Sequence, residues 1–224
     1  MNKKLIIAKT EEMVRDRLSN ERTGHDWYHI ERVTKLAQQI AMEENADIFI
    51  VTLAALLHDL ADDKVVANEK EGMDNIQAWL KDFNIREVDC DHIIQIVSTM
   101  SFKGGNNQLV NSLEAKVVQD ADRLDAIGAI GIARCFIYAG KKGTAMYDPT
   151  IEIREEMTVE EYRKGKSSGL HHFYEKLLKL KNLMNTKTGY QLAIERHAYI
   201  EQYLKQFLKE FKLNDTNIVD FIRE

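Results

Sequence analysis

Four residues of the sequence carry side chains that commonly bind divalent metal ions: His29, the adjacent pair His58 and Asp59, and the distant Asp122. Each lies in a stretch with the apolar pattern of a helix, where an unpaired ionisable group is costly to bury. One metal ion would explain all four, because two neutral imidazoles and two carboxylates balance the charge of a dication. Such a set leaves coordination positions for water or substrate oxygens, and it predicts metal-dependent hydrolysis.

Each residue also has an ordinary structural interpretation. His29 suits a hydrogen-bonded core histidine, His58 suits a helix end, and Asp59 suits a solvated position. A carboxylate near a helix C-terminus is unfavourable unless a cation compensates it, so Asp59 argues for the metal. Mixed nitrogen and oxygen ligands favour transition metals over Mg²⁺ and Ca²⁺, which prefer oxygen ligands. We expect one divalent ion, with Mn²⁺ first and Co²⁺, Ni²⁺, Fe²⁺, Zn²⁺ or Mg²⁺ as alternatives.

Helical periodicity runs through nearly the whole chain, and no segment shows the alternating pattern of a strand. The spacing of apolar residues predicts a helix from about residue 26 to 44, and Asp47 begins the next, which is almost entirely apolar to Leu57. Further helices are predicted at about 76–80, 93–97, 111–138, 173–183 and 192–211. The predicted fold class is therefore all-α.

Composition bounds the domain organisation. The 224 residues are 44% hydrophobic and 30% charged, which is typical of a single globular domain. We predict one domain over residues 1–224. It has a metal core at about 23–134 and a helical extension at about 158–224. The irregular stretch 139–158 separates them and is a candidate lid, and the residues Thr158 to Glu161 suit a capping box that begins the extension.

Charge and cysteine usage narrow the function classes. A net charge of −5 argues against a dedicated nucleic-acid binder, and no apolar run is long enough to span a bilayer. Cys90 and Cys135 lie far apart and suit buried reduced thiols. We expect a cytoplasmic protein without nucleic-acid or membrane partners, and the oligomeric state stays open, with a homodimer as one option.

The order His29, His58-Asp59, Asp122 resembles the H…HD…D signature of the HD-domain superfamily of metal-dependent phosphohydrolases. The surrounding segments 24–29, 56–59 and 120–125 are similar as well, so the resemblance covers roughly residues 23–134. It implies an HD-domain helical bundle with Asp122, rather than Asp120 or Asp125, as the last metal ligand. The tail at 168–178 and 196–197 is similar to a bacterial subgroup of stand-alone HD proteins that includes nucleotide pyrophosphohydrolases.

The resemblance implies that a metal-activated water attacks a phosphorus atom. Members with two metals commonly carry further histidines between the HD pair and the last aspartate, and here only His92 lies in that interval. A single metal is therefore expected. We do not predict His25, His92, His171 or His197 as metal ligands. Among these four, His92 is the best candidate for an assisting role at the site.

Asp62 and Asp63 follow the HD pair where several relatives place an acid that assists the attacking water. A solvated helix end is an equally good interpretation of both. Arg123, beside Asp122, and Lys103, in a glycine-flanked loop, are predicted to hold phosphate oxygens. Weaker candidates for substrate binding are His172, Lys176 and Arg196. Asp26 either orients the ring of His29 or caps its helix.

The predicted substrate is a small phosphate ester or nucleotide, and release of pyrophosphate from a nucleoside triphosphate is the sharper form of this prediction. The alternative is a regulatory HD protein that binds metal or nucleotide without catalysis. A metal-dependent oxygenase on the same scaffold is a third hypothesis. That function needs two irons and more histidine ligands than the sequence offers.

Overall fold

The computed structural model describes residues 2–61, 68–100, 110–154, 157–158, 160 and 165–211. These residues form helices without any strand, which confirms the predicted all-α class. The α-helices are α1 (Lys3–Arg17), α2 (Trp27–Glu44), α3 (Ile48–Leu57), α4 (Glu69–Asp82), α5 (Glu87–Ser98), α6 (Leu113–Asp125), α7 (Gly128–Lys141), α8 (Gly169–Glu175) and α9 (Lys187–Glu210). Two 3-10 segments, His58–Ala61 and Leu177–Leu183, follow α3 and α8.

Helix α3 is the centre of the core because nearly all of its residues are apolar. Every residue from Phe49 to Leu57 is buried, and the helix contacts α1, α2, α5 and α6. The Asp47 side chain accepts hydrogen bonds from the backbone N–H groups of Phe49 and Ile50, which begins the helix. The apolar helix therefore ends deep inside the molecule, and the residues that follow it, His58 and Asp59, are buried.

The single helix predicted over residues 111–138 is wrong, because the structure has two helices there. Helix α6 ends at Asp125 and α7 begins at Gly128. Gly128 has φ +78°, a left-handed conformation that an L-residue with a side chain adopts only at a cost, and it interrupts the helix. The sequence pattern showed Gly128 only as one of several small residues.

The C-terminal extension packs α9 against α2, α6 and α7. One helix was predicted over 173–183, but α8 ends at Glu175 and a 3-10 segment covers Leu177–Leu183. The irregular segment starts three residues later than predicted, since α7 continues to Lys141. Arg154 in this segment donates to both oxygens of Glu175 at 2.7 and 2.9 Å, which ties it to α8.

The capping box predicted at Thr158–Glu161 lies largely outside the described residues. Among the helices that the structure describes, none combines the length and the apolar character needed to cross a membrane.

Candidate metal centre

Three elements bring the four predicted ligands together. Helix α2 carries His29, the 3-10 turn after α3 carries His58 and Asp59, and the last turn of α6 carries Asp122. The side chain of Asp26 accepts from the backbone N–H of His29 at 3.0 Å, so of its two suggested roles it takes that of the helix cap.

The donor atoms of the four residues converge on one small volume. The Nε2 atom of His29 is 3.2 Å from Asp59 Oδ2 and 3.6 Å from Asp122 Oδ1. The Nε2 atom of His58 is 3.3 Å from Asp59 Oδ1 and 3.9 Å from Asp122 Oδ1. Ligands bound at about 2.1 Å to one ion lie roughly 3.0–3.5 Å from each other. The observed separations therefore suit a shared divalent ion after small adjustments.

The two imidazoles present their Nε2 atoms to this volume. Nδ1 of His58 is 2.7 Å from the backbone carbonyl of Ala55, and because a carbonyl only accepts, the His58 proton resides on Nδ1. Nδ1 of His29 is 2.7 Å from a carboxylate oxygen of Asp125, which implies the same tautomer. Both Nε2 atoms are buried and have no hydrogen-bond partner. Such orphaned lone pairs beside two carboxylates fit a metal ion.

The electrostatics of the centre are strongly coupled. Burial alone would raise the pKa of Asp59, but the neighbouring imidazoles of His58, His25 and His29 hold it well below its usual range. The pKa of Asp122 is lowered in the same way, because His58 and His29 outweigh its burial. Both carboxylates are therefore ionised at neutral pH and available to a cation.

His25 joins the centre although the sequence did not predict it as a ligand. Its Nδ1 lies 2.8 Å from Asp59 Oδ2, and His25, His29 and Asp59 form a second group whose donor atoms are close enough to bind one ion. His25 therefore either supports Asp59 or takes part in coordination. Its spacing of four residues from His29 was the available signal.

Asp125 was also missed, and it lies directly beside His29. Its buried carboxylate accepts from the His29 ring, from Arg32 Nε at 2.6 Å and Nη2 at 3.0 Å, and from Arg134 Nη1 at 2.8 Å. Burial would raise the pKa of Asp125, but the hydrogen bonds from His29 and Arg32 and the charge of Arg134 hold it far below its usual range. No local pattern in the sequence indicates these long-range pairs.

A shallow depression, open to solvent, lies beside Asp122. Its walls combine apolar, amide and cationic side chains, namely Met100, Gln119, Asp122, Arg123, Ala126, Lys176 and Leu180. One wall comes from the extension, through Lys176 after α8 and Leu180 of the 3-10 segment. The opposite wall comes from α6, which carries Asp122. The depression is a shallow surface next to the centre.

Two of the predicted cations, Arg123 and Lys176, line this depression. Arg123 donates to the backbone carbonyl of Leu183 and lies 3.8 Å from Asp120, and its burial lowers its pKa. Arg196 instead donates to the carbonyl of Leu124 at 2.5 Å and is not among the lining residues.

The remaining predicted residues lie outside the two groups of possible metal ligands or outside the described residues. His172 is half-buried on α8, and its role stays a prediction. His92 Nε2 lies 3.7 Å from Glu114 and belongs to neither group of possible metal ligands. Asp62, Asp63 and Lys103 lie outside the described residues.

Comparison with known proteins gives consistent matches. Residues 26–127 match the HD domain family. The chain is 40% identical to protein YpgQ of Bacillus subtilis over 195 residues, which are 86% of this chain and 87% of YpgQ. The crystal structure of YpgQ in complex with ADP is similar with a TM-score of 0.74, and the alignment covers 92% of this chain and 98% of that chain.

Two further crystal structures are similar over nearly the whole chain. An HD-superfamily hydrolase from Bacillus thuringiensis is 44% identical with a TM-score of 0.74, and the match covers 95% of this chain and 100% of that one. A protein from Lactobacillus plantarum is 39% identical with a TM-score of 0.85, and the match covers 94% of this chain and 99% of that one. The likeness therefore includes the C-terminal extension as well as the core.

Proposed function

The chain belongs to the HD-domain superfamily of metal-dependent phosphohydrolases, and from this membership we propose that it hydrolyses a nucleotide at the centre of His29, His58, Asp59 and Asp122. One observation carries the proposal: two buried Nε2 atoms without hydrogen-bond partners face two ionised carboxylates at 3.2–3.9 Å. The residues fit a divalent transition metal, with Mn²⁺ as the first candidate.

A divalent ion held there would polarise a phosphate oxygen and lower the pKa of a bound water. The protein's own part is to hold the ligands and the substrate in place. Asp59 and Asp122 neutralise the ion, and Arg123 and Lys176 offer positive charge to phosphate oxygens beside Asp122. Asp62, Asp63 and Lys103 stay predicted helpers on the basis of sequence alone.

The lining of the depression supports a phosphate-bearing ligand, because the cations Arg123 and Lys176 lie beside Asp122. The relative YpgQ was crystallised with ADP, which supports the same ligand class. We propose hydrolysis of a nucleoside triphosphate to the monophosphate and pyrophosphate as the specific reaction.

The test is a nucleotide panel with protein reconstituted with Mn²⁺, Co²⁺, Ni²⁺ or Mg²⁺, in which phosphate and pyrophosphate are measured separately. Pyrophosphate release supports the specific reaction, and phosphate release supports a phosphatase. Metal-loaded protein that binds a nucleotide and leaves it intact would favour the regulatory alternative. The cytoplasmic location stays a prediction, and a homodimer stays one option for the oligomeric state.

Two variants test the site itself. Asp59→Ala should lower kcat/KM by at least about 100-fold, because it removes a proposed ligand. Asp89→Ala is the control, since Asp89 is an acidic residue that pairs with Arg86 on α5. Equal turnover of Asp59→Ala and the wild type would refute the proposed centre.

Lys176 tests the substrate depression. Lys176→Ala should raise KM about tenfold or more if its ammonium group binds a phosphate, since a charge-assisted hydrogen bond contributes roughly 1.5–3 kcal/mol. Lys205→Ala is the matched control, because Lys205 is exposed on α9 and does not line the depression. An equal KM in both variants would contradict this role of Lys176.

A further inference from the structure

We propose that Asp125 is a positioning residue that sets the metal affinity of the centre by fixing the ring of His29. Arg32 and Arg134 in turn fix Asp125. The inference rests on the metal centre of the proposed function, but it concerns residues that do not touch the ion. It gives a role to the buried carboxylate of Asp125, which is not one of the four proposed metal ligands.

The contact between Asp125 and His29 determines which ring nitrogen faces the other ligands. Asp125 Oδ2 lies 2.7 Å from His29 Nδ1, and an ionised carboxylate only accepts hydrogen bonds. The proton is therefore held on Nδ1, and the Nε2 lone pair is directed towards Asp59 and Asp122. A carboxylate partner also makes an imidazole a stronger metal ligand.

Four donors hold the Asp125 carboxylate so that it cannot rotate freely. Oδ1 accepts from Arg32 Nε, while Oδ2 accepts from Arg32 Nη2, Arg134 Nη1 and the His29 ring. Arg134 is itself fixed, because its Nε donates to the carbonyl of Gly24 at 2.8 Å. The Asp125 carboxylate thus connects α2, α6 and α7. Its pair with Arg32 is bidentate, because Arg32 donates to both oxygens, and this fixes the orientation of the carboxylate.

The other imidazole of the centre is held in a different way. His58 donates to the carbonyl of Ala55, a residue three positions earlier in the chain. That contact forms whenever the end of α3 forms, and it carries no charge. His29 depends on a carboxylate 96 residues away. Local structure therefore positions the His58 ring, whereas a tertiary contact positions the His29 ring. A substitution at Asp125 should accordingly disturb the orientation of His29 and leave that of His58 unchanged.

The experiment measures Mn²⁺ binding by titration calorimetry without any nucleotide. Asp125→Asn should weaken Mn²⁺ binding about 10–100-fold, the usual effect of removing a carboxylate behind a metal-bound histidine. Asp125→Glu, which restores the charge at a displaced position, should recover part of the affinity. Glu175→Gln is the matched control, since Glu175 is another buried carboxylate that pairs with an arginine, Arg154, and it belongs to neither group of possible metal ligands. Its Mn²⁺ affinity should stay within about twofold of the wild type.

Asp125→Asn leaves two arginines without their carboxylate and is liable to destabilise the fold. The double variant Asp125→Asn/Arg32→Ala keeps the net charge of the cluster and should show the same loss of affinity. A measurement on the wild type needs no variant: with Zn²⁺ bound, the His29 Nδ1 proton should exchange slowly in a histidine ¹H–¹⁵N spectrum. Mn²⁺ affinity within about twofold of the wild type in either folded variant, or a rapidly exchanging Nδ1 proton, overturns the proposal.

The binding assay also separates this inference from the proposed function. Weaker Mn²⁺ binding in Asp125→Asn, together with a wild type that hydrolyses no nucleotide, would support the positioning role and reject the function. Unchanged Mn²⁺ binding in an enzyme that hydrolyses a nucleotide would do the reverse.

Discussion

The backbone N–H of Thr186 donates to Asp120 Oδ2 at 2.7 Å, and the hydroxyl group of the same threonine donates to the same oxygen at 2.8 Å. The second oxygen of Asp120 accepts from the backbone and side-chain amides of Asn185. Because Thr186 also caps α9, this one carboxylate fastens the start of the extension to α6, two residues before Asp122. The extension is thereby held next to the metal centre.

Gly189→Ala should destabilise the protein by about 1–3 kcal/mol, because the added methyl group overpacks this junction. Its Cβ would lie 2.5 Å from Asp120 Oδ2 and 2.8 Å from Thr186 Oγ1. The measurement is urea unfolding followed by circular dichroism. Gly140→Ala is the control: Gly140 lies on α7 with no atom within 4 Å of the added Cβ, so a small stabilisation of about 0.5–1 kcal/mol is expected. An equal change in the free energy of unfolding for the two substitutions would contradict the close packing of Gly189 against Asp120 and Thr186.

Adding Mn²⁺ should stabilise the protein, because the ion binds the folded state through ligands that converge only there. At a concentration about 100 times Kd the gain is roughly 2.7 kcal/mol, which should raise Tm by about 5–10 °C. His58→Ala should abolish most of this shift in a thermal melt. His92→Ala serves as the control, since its Nε2 is likewise buried without a hydrogen-bond partner but faces Glu114. A shift that survives in His58→Ala would place the ion elsewhere.

Mn²⁺ affinity should rise with pH through the titration of His29. In the metal-free protein burial and Arg134 lower the pKa of His29, but the hydrogen bond to Asp125 and the neighbouring carboxylate of Asp59 outweigh them and raise it above 6.5. Below that raised pKa the ion must displace a proton, so the apparent affinity should increase about tenfold per pH unit and then level off. Titrations over the range of about pH 5.5–8.5 measure this slope.

The metal-free protein should respond to pH in the opposite sense. A histidine whose pKa is raised on folding contributes stability that is fully present below the unfolded value of 6.5 and is lost as pH rises through the folded value. Urea midpoints of the metal-free protein should therefore fall over this window. An Mn²⁺ affinity that does not change with pH would show that His29 is neutral before the ion binds.

His25→Ala should leave one Mn²⁺ per chain and weaken its binding by less than about tenfold. The reason is that His25 Nδ1 already bonds to Asp59 Oδ2 at 2.8 Å, so the ring supports a ligand. Titration calorimetry gives both the stoichiometry and the affinity, and His58→Ala provides the comparison. A loss in His25→Ala as large as in His58→Ala would instead assign His25 to the coordination sphere.

The helices nearest the centre were predictable because their signals are local. Apolar spacing and the caps at Asp26 and Asp47 predicted α2 and α3 to within a residue. The four ligand candidates were recognisable by residue type and order, and the structure brings them together. The contact of Asp125 with Arg32 was not predictable, since it spans 93 residues and depends on how α2 packs against α6.

The interruption between α6 and α7 was missed for a related reason. Gly128 adopts its left-handed conformation beside Arg196 of α9, and the Cβ of any other residue would lie 3.1 Å from Arg196 Cγ. Its sequence neighbours do not reveal that crowding.

This interruption has a geometric consequence for Asp125 and Arg134, which lie nine positions apart in the chain. In an unbroken α-helix, residues nine positions apart are separated by about 13.5 Å along the axis and project from opposite sides. A guanidinium group cannot bridge that span, yet the two side chains meet at 2.8 Å. The break in the helix at Gly128 is therefore what allows one stretch of chain to supply both a carboxylate and the guanidinium group that pairs with it.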